Sequence, residues 1–395
     1  MNQGADRTVL ITAFEPSGDR LGASLVRALR EREVPVRVVA YGGELLRESG
    51  AEVVEDTCSN PVMGIPSLRV IREHMALNKR IGATMDDLVS GGGLDLHLAV
   101  DSPAANFPAC KLAGARGVGV MHMAAPQLWA WAPWRIRKLR RLTDHLMCLL
   151  PFEREWFASR GVRATFIGHP VFDEPMDTDV LEALTSEYPE SEMRVALLPG
   201  SRAKEHQHNF PIQLETFRRL RADHPELMGM VAAVDETGAH RLQQIANASG
   251  GWPEGLEMRV GEVEAILHWA DVCLTVSGTV TLQVLRHAVP MVVHFRTSRL
   301  LYHGLARWLL TPDFFSLPNL IAGSRIVTEL MPYFGDATRL TDEARQLIED
   351  GASRERMRDA LIEARRQFEN TNASESACEL VLQQLELQRN GPGGT

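Results

Sequence analysis

Arg202 and the glycine turn before it carry the clearest chemical signal in the sequence. Residues 195–205 run Val-Ala-Leu-Leu-Pro-Gly-Ser-Arg-Ala-Lys-Glu. The short apolar run predicts a buried parallel strand. The turn that follows predicts a helix start, where backbone N–H groups and the helix dipole favour an anion, and arginine adds donors suited to phosphate oxygens. The stretch therefore indicates a phosphate site, although a simple capped helix after a strand is the alternative for any such loop alone.

Three other loops carry polar residues at corresponding positions, namely Glu15–Asp19, Asp101–Asn106 and Ser277–Gln283. Ligands of open α/β sheets bind beyond the carboxyl ends of the strands, where these loops are expected. The hydroxyls and backbone N–H groups of the third loop suit a diphosphate. Asp101 is a candidate catalytic carboxylate, but with Ser102-Pro103 behind it, it could equally cap a helix. Neither glycine loop matches a Walker A or GxGxxG pattern.

Such loops need a scaffold of strands that alternate with helices. Strands are predicted at 9–13, 36–41, 52–54, 96–100, 117–123, 145–149 and 164–167, then at 195–198, 228–233, 257–260, 272–275 and 290–294. This alternation predicts an α/β fold with two Rossmann-like, doubly wound domains facing a cleft. We expect one such domain over 1–172 and a second over 173–350. Helices over 351–395 are expected to pack on the first domain or a partner, with a capping Asn372 and a disordered tail.

Composition narrows the classes of function. The 395 residues carry a net charge of −9 and five widely spaced cysteines without a CxxC pair. The acidic balance argues against a general nucleic-acid binder, and the cysteine usage indicates reduced thiols in a cytoplasmic protein. The sequence shows neither a secretory signal nor an apolar run long enough for a membrane span. His206 and His208 beside Glu205 could be imagined as metal ligands, but a solvated helix start is expected, so no metal is predicted.

A basic-aromatic segment stands out on this acidic chain. Three tryptophans and five basic residues lie within 13 positions: Trp129, Trp131, Trp134, Arg135, Arg137, Lys138, Arg140 and Arg141. Such a cluster suits anionic headgroups, so peripheral membrane contact is predicted, while the alternative is a buried core and a solvated helix face. A second region of this type spans residues 295–315.

Taken together, these motifs resemble the lipid-A-disaccharide synthase family of inverting GT-B glycosyltransferases. The resemblance extends from about Val9 to Glu329. Its motifs are Glu15-Pro-Ser-Gly-Asp19, Val100-Asp-Ser-Pro103, Pro126 with Trp129-Ala-Trp131, Pro151-Phe-Glu153, Gly168-His-Pro170, Leu198-Pro-Gly-Ser-Arg202 with Glu205, Ser277-Gly-Thr279 and Ser316-Leu-Pro-Asn-Leu-Ile-Ala-Gly323.

The resemblance implies a specific reaction and specific site residues. It also implies that the domain over 1–172 binds the acceptor and the domain over 173–350 binds the UDP-sugar. A UDP-linked diacylglucosamine would be joined to an acylated glucosamine 1-phosphate as a β-1′,6-linked disaccharide, with UDP released and no cofactor needed. Asp101 would be the general base, with Glu15 also catalytic. The implied donor-binding residues are Ser17, Gly18, Arg202, Glu205, Ser277, Gly278, Thr279, Thr281, Gln283 and Asn319. The implied acceptor or membrane contacts are Trp129, Trp131, Arg135, Arg137 and Lys138, and the protein is expected at the inner membrane, with a homodimer possible.

Four positions depart from the family pattern. Phe14 stands where a glycine is usual, Ala132 where an arginine often follows, Gln283 in place of the glutamate that grips the ribose, and Thr328 in place of a proline. A glutamine carbonyl still accepts from a hydroxyl, at a cost on the order of 1 kcal/mol relative to a carboxylate. Two alternatives follow: another UDP-sugar transferase or epimerase of this architecture, or a silent paralogue that binds lipid or nucleotide.

Overall fold

The computed structural model describes residues 7–59, 68–296 and 313–389. These residues form two compact units. The first runs to Asp173 and resumes at Asn370, and the second is Glu174–Glu369. The C-terminal helices are therefore divided, because only the last of them belongs to the first unit, whereas the sequence analysis grouped residues 351–395 together.

The first unit is a seven-stranded parallel sheet covered by helices. Its strands are β1 (Arg7–Ala13), β2 (Val36–Gly42), β3 (Glu52–Asp56), β4 (Leu96–Val100), β5 (Gly119–Met123), β6 (His145–Cys148) and β7 (Ala164–Phe166). Its helices are α1 (Pro16–Glu31), α2 (Glu44–Glu48), α3 (Leu68–Ser90), α4 (Pro103–Gly114), α5 (Ile136–Leu142) and α6 (Pro151–Ala158). The strand order is β3-β2-β1-β4-β5-β6-β7. Because β1 and β4 are buried on both faces, they are apolar almost throughout.

The second unit repeats this architecture with six parallel strands. The strands are β8 (Arg194–Leu198), β9 (Met228–Ala233), β10 (Leu256–Val260), β11 (Val272–Val276), β12 (Met291–Arg296) and β13 (Thr328–Tyr333). The described helices are α7 (Thr178–Thr185), α8 (Ala203–Asp223), α9 (Glu236–Ala248), α10 (Val263–Trp269), α11 (Val280–His287), α12 (Leu317–Ala322), α13 (Ala337–Glu349) and α14 (Gly351–Arg365). The order is β10-β9-β8-β11-β12-β13.

Strand β13 is absent from the sequence-based prediction, and its composition explains why. The segment Thr-Glu-Leu-Met-Pro-Tyr contains a proline, which argues against a central strand. In the structure β13 is the edge strand of its sheet, where a missing N–H is tolerated. The alternation of the remaining strands with helices agrees with the prediction, and the ends of the predicted strands differ from the observed ones by at most two residues.

Each sheet has a switch point where the chain reverses its direction of growth. In the first sheet β1 lies between β2 and β4, and in the second β8 lies between β9 and β11. Crevices at such points, beyond the carboxyl ends of the strands, are the usual ligand sites of doubly wound folds. The four loops singled out in the sequence follow β1, β4, β8 and β11, so both switch points carry them.

The last helix, α15 (Ala373–Arg389), packs on α1 of the first unit. Asn372 caps it, because its side-chain oxygen accepts from the backbone N–H of Glu375 at 2.9 Å, as predicted. The carboxylates of Glu375 and Glu379 pair with Arg32, the residue that follows the end of α1. The chain thus returns to the first unit through an apolar helix interface with an ion pair at its rim.

Candidate active site

The carboxylate predicted to be catalytic lies on a strained turn. Asp101 and Ser102 follow β4 with φ values of +52° and +36°, in the left-handed region that costs an ordinary residue roughly 1–2 kcal/mol. Ser102 occupies the N-cap position of α4, but its hydroxyl donates to Glu15 Oε1 at 2.6 Å. The Asp101 carboxylate accepts from Ser17 Oγ at 2.7 Å and from the Ser102 N–H at 2.7 Å. The Asp101 side chain is therefore held by the loop, and neither of these contacts is to an N–H group within α4.

The loop after β1 meets this turn because α1 begins with small residues. Gly18 is buried, and a Cβ on it would lie 3.2 Å from the Val100 carbonyl oxygen, tighter than most real contacts. This close approach brings Ser17 and Glu15 to the end of β4. Asp19 has a structural task, because its buried carboxylate accepts the N–H groups of Gly43 and Leu45 at the start of α2. Phe14 packs on the core beside β1. Of the first loop, Glu15 and Ser17 therefore present polar groups at Asp101.

A buried amide fixes the strained turn from below. Asn106 is fully buried, and its Nδ2 donates to the carbonyl oxygens of Val100 at 3.0 Å and Asp101 at 2.7 Å. Its Oδ1 accepts from Thr12 Oγ1 at 2.5 Å, and the Thr12 hydroxyl also lies 2.9 Å from His97 Nε2. Because the hydroxyl proton goes to Asn106, His97 donates to Thr12. Sequence reasoning named Asn106 only as the end of a loop, since its partners lie on two different strands.

Two buried histidines near the Asp101 turn are neutral at neutral pH. Burial lowers the pKa of His97 to about 3. It also lowers the pKa of His122, which is on β5 and lies near Asp101, to about 4. Both imidazoles are therefore neutral at pH 7, so they give the Asp101 carboxylate no buried cation as a partner.

The loop after β8 differs from its prediction in one respect. Gly200 has a φ of +103°, and a Cβ on it would come within 2.4 Å of Glu205 Oε2. That carboxylate accepts from the N–H groups of Ser201 at 3.0 Å and Arg202 at 3.2 Å, and from Arg202 Nη1 at 3.2 Å. Glu205 therefore caps the helix start from within and occupies N–H groups that a phosphate would use, and its predicted contact with the UDP-sugar donor stays a prediction. The Arg202 side chain is 69% exposed, so its other donors face solvent.

The loop after β11 presents an open surface at the second switch point. Gly278 and Thr279 are exposed, and Gly278 has a φ of +147°, with open space among the described residues where a Cβ would stand. Ser277 is half-buried with its hydroxyl 3.5 Å from the Phe315 carbonyl oxygen. Thr281 is buried and donates to the Gly278 carbonyl at 2.7 Å, so it shapes the loop. Of the first N–H groups of α11, those of Thr281 and Leu282 donate to the carbonyl oxygens of Gly278 at 3.0 Å and Thr279 at 2.9 Å.

Gln283, on the first turn of α11, contacts a carboxylate from the neighbouring helix. Its Nε2 donates to Glu264 Oε1 of α10 at 3.1 Å. Glu264 Oε2 also lies 3.3 Å from Arg286 Nη1 and 2.8 Å from His287 Nε2. Burial acts to raise the pKa of Glu264, but the His287 and Arg286 contacts outweigh it, so the pKa lies below its ordinary value. Sequence reasoning missed Glu264, which no motif marks.

Asn319 has its hydrogen-bonding atoms occupied by the protein itself. It is fully buried, its Nδ2 donates to the Val327 carbonyl and to Glu329 Oε1, and its Oδ1 accepts from the N–H groups of Ile326 and Val327. Glu329 in turn accepts from the Ser316 N–H at 2.8 Å. In this structure Asn319 therefore supports the loop, and its predicted contact with the UDP-sugar donor stays a prediction.

The tryptophan loop of the first unit separates into a buried and an exposed part. Trp129 is only 8% exposed, and its indole N–H donates at 2.9 Å to the buried carboxylate of Glu153. Its prediction as a membrane or acceptor contact is corrected, since the side chain faces the interior. Trp131 and Trp134 are 46% and 62% exposed. Arg135 lies 5.2 Å from the Trp131 ring centroid.

Together with the cations at and along α5, these side chains form what we call the basic-aromatic surface: Trp131, Trp134, Arg135, Arg137, Lys138, Arg140 and Arg141. Lys138 Nζ also lies 4.8 Å from the ring centroid of the buried Phe107, which anchors α5 to α4. Most of the second region, 295–315, lies outside the described residues. Within the described ranges no helix has the length and apolar character to cross a membrane, and no group of three His, Cys, Asp or Glu side chains could hold a metal ion.

Two doubly wound parallel sheets, each with its polar loops at the switch point, define the GT-B class of fold. Solved structures of this class match nearly the whole chain. They include a UDP-GlcNAc 2-epimerase from Neisseria meningitidis bound to UDP-GlcNAc (TM-score 0.60, 13% identity, 95% of this chain and 100% of that one). Another is the glycotransferase of kitacinnamycin (TM-score 0.63, 18% identity, 96% and 99%). At such identities the likeness shows the fold alone.

Sequence comparison is more specific. The family model described as lipid-A-disaccharide synthetase matches residues 9–381. Proteins named lipid-A-disaccharide synthase are 33% identical over 381 residues in Myxococcus xanthus (95% of this chain, 97% of that protein) and 30% identical over 394 residues in Geobacter sulfurreducens (98% and 100%). The chain belongs to the lipid-A-disaccharide synthetase family. This confirms the resemblance, and with it the predicted class of enzyme, a glycosyltransferase that forms a lipid A disaccharide.

Proposed function

We propose that this chain transfers a diacylated glucosamine from UDP to the 6-hydroxyl of an acylated glucosamine 1-phosphate. In this reaction the acceptor oxygen forms a bond to the anomeric carbon while the bond from that carbon to the diphosphate oxygen breaks. The acceptor proton goes to a base, UDP leaves with the bonding electron pair, and a β-1′,6-linked disaccharide results. Membership of the family supports the reaction, and the position of Asp101 supports its mechanism.

Asp101 is the proposed base, and its setting on the strained turn is the observation that carries the assignment. Strained residues persist where the surrounding structure over-determines them, as Asn106 and Ser17 do here, and such strain clusters at active sites. A carboxylate that accepts from Ser17 Oγ and the Ser102 N–H keeps further lone pairs for a substrate hydroxyl. Glu15 is proposed to act with it through Ser102, whose hydroxyl donates to the Glu15 carboxylate.

The diphosphate is proposed to bind the second unit. Exposed Arg202 and the N–H groups at Ser277, Gly278 and Thr279 would offset the charge that develops on the leaving group. Gln283 is proposed to contact the ribose. Gly18 and Thr281 serve by shaping their loops, and Ser17 by its bond to Asp101. No metal is needed in this scheme, because these groups supply the positive potential.

The acceptor and the membrane are proposed to meet the basic-aromatic surface. Its exposed tryptophans suit an interfacial layer, and its cations suit anionic headgroups. We accordingly propose a cytoplasmic protein that associates peripherally with the inner membrane, and a homodimer as a possible assembly.

One assay tests the proposed function directly. Purified protein is incubated with UDP-diacylglucosamine and the acylated glucosamine 1-phosphate, and UDP release and disaccharide formation are followed together. Equal amounts of both products support the proposal. Transfer to a soluble unacylated sugar would favour another UDP-sugar transferase, epimerisation of the donor would favour an epimerase, and binding without product would favour a silent paralogue.

A further inference from the structure

Gln283 is a neutral residue whose hydrogen-bonding direction depends on its neighbour. A carboxamide has one end that donates and one that accepts, so either end can face a ligand. In this structure the end nearest α10 lies 3.1 Å from Glu264 Oε1. The contacts of Arg286 and His287 keep Glu264 ionised, and an ionised carboxylate only accepts. The amide nitrogen must therefore face Glu264, and the carbonyl oxygen must point away from it.

We propose that Glu264 is a positioning residue that presents the carbonyl oxygen of Gln283 as an acceptor for the ribose hydroxyls of the donor nucleotide. The inference rests on the proposed function, in which Gln283 contacts the ribose. Both residues lie on the first turns of helices that follow parallel strands, so both stand at the carboxyl edge of the second sheet. The half-buried Gln283 keeps part of its surface accessible.

The pair also explains why a carboxylate at position 283 would be unfavourable in this chain. A glutamate there would place two carboxylates at hydrogen-bond distance, and like charges so close disfavour the ionised forms. Glu264 already uses its second oxygen for Arg286 and His287, so the Arg286 guanidinium cannot compensate both carboxylates. In this pair Glu264 on α10 is the acidic residue, and the neutral Gln283 on α11 donates to it.

The test compares the affinities of UDP and 2′,3′-dideoxyuridine diphosphate by calorimetry, because the ratio isolates recognition of the hydroxyls. We expect the wild-type chain to prefer UDP. Glu264→Gln should lower this preference about three- to tenfold, the effect of one misdirected neutral hydrogen bond. Gln283→Ala gives the preference for UDP that remains when the ribose contact is lost completely. Glu264→Asp, which withdraws the carboxylate by one methylene, should lower the preference in the same direction if the glutamine variant is unstable.

Exchange of the two residues provides the rescue that a merely structural role would not give. Gln283→Glu alone should weaken UDP binding, and the double variant Glu264→Gln/Gln283→Glu should restore the preference for UDP, because donor and acceptor simply trade places. Glu257→Gln is the matched control, since Glu257 pairs with Arg259. The preference of this variant for UDP should equal that of the wild-type chain.

Three results would overturn the inference. One is an unchanged preference in Glu264→Gln, and another is a double variant no better than Glu264→Gln. Either leaves the proposed function standing, because the wild-type chain still binds UDP and prefers the ribose. The third is a wild-type chain that binds both nucleotides equally, which removes the ribose contact of Gln283 as well.

Discussion

Removal of the Asn106 amide should uncouple the strained turn at Asp101 and Ser102 from the sheet. In Asn106→Ala three hydrogen bonds are lost, to Val100, Asp101 and Thr12. At about 0.5–1.5 kcal/mol each, they contribute about 1.5–4.5 kcal/mol. The two left-handed residues of the turn cost about 2–4 kcal/mol together. Because these sums are comparable, the turn should relax toward ordinary φ values once the amide is gone.

A relaxed turn displaces the Asp101 carboxylate, and a displacement of about 1 Å can lower turnover about 100-fold. We therefore expect the kcat of Asn106→Ala to fall by roughly that factor, with little change in UDP affinity, since the contacts proposed for the diphosphate and the ribose belong to the second unit. Denaturant unfolding measures the stability, steady-state kinetics the kcat, and calorimetry the UDP affinity.

Asn78→Ala is the matched control, because Asn78 of α3 donates to the carbonyl of His74 one turn before it, away from the strained turn. It should retain wild-type kcat. The reasoning is refuted if Asn106→Ala loses stability but keeps its turnover, since Asn106 would then support the fold without positioning the base.

Three further predictions concern the donor, the buried carboxylate and the membrane. Arg202→Ala should weaken UDP binding about tenfold, the lower end expected for a charge-assisted bond, because the side chain is largely exposed; unchanged binding in calorimetry contradicts the assignment. Burial raises the pKa of Glu153 to about 7, so wild-type stability should fall relative to Glu153→Gln as pH rises from about 4.5 to 7, on the order of 3 kcal/mol, in denaturant unfolding. If the difference in stability between the two proteins does not change with pH, the raised pKa of Glu153 is contradicted. The protein should co-sediment with anionic vesicles at low salt and be released at high salt, since each basic residue contributes about 1 kcal/mol to binding. A variant with Ala at positions 131 and 134 and Gln at positions 137, 140 and 141 should not bind. Equal binding of the wild-type protein to neutral vesicles would argue against the proposed membrane contact.

Much of the fold follows from the sequence because apolar periodicity and turn residues act locally. The stripe of Leu21, Leu25, Ala28 and Leu29 predicts the buried face of α1, which the structure confirms. The four loops were also identified, since a polar residue directly after a buried strand marks the carboxyl edge of a parallel sheet.

The roles of individual side chains were less predictable, because they depend on partners distant in sequence. Glu205 and Arg202 lie on one loop, and nothing in their spacing says that the carboxylate takes the backbone N–H groups instead of a ligand. Trp129 and Trp131 are two positions apart, yet only the first meets Glu153. The Glu264–Gln283 contact joins two helices across a strand, so it becomes visible only when α10 and α11 are packed together.

The most direct test of the central claim is the turnover of Asp101→Asn with both lipid substrates. Removal of a positioned base should lower kcat about 10²–10⁴-fold, while UDP affinity and stability remain close to wild type, because the amide oxygen can accept from the Ser102 N–H while the amide nitrogen donates to Ser17 Oγ. A variant that retains near-wild-type turnover would contradict the account, since Asp101 could then not be the group that takes the acceptor proton.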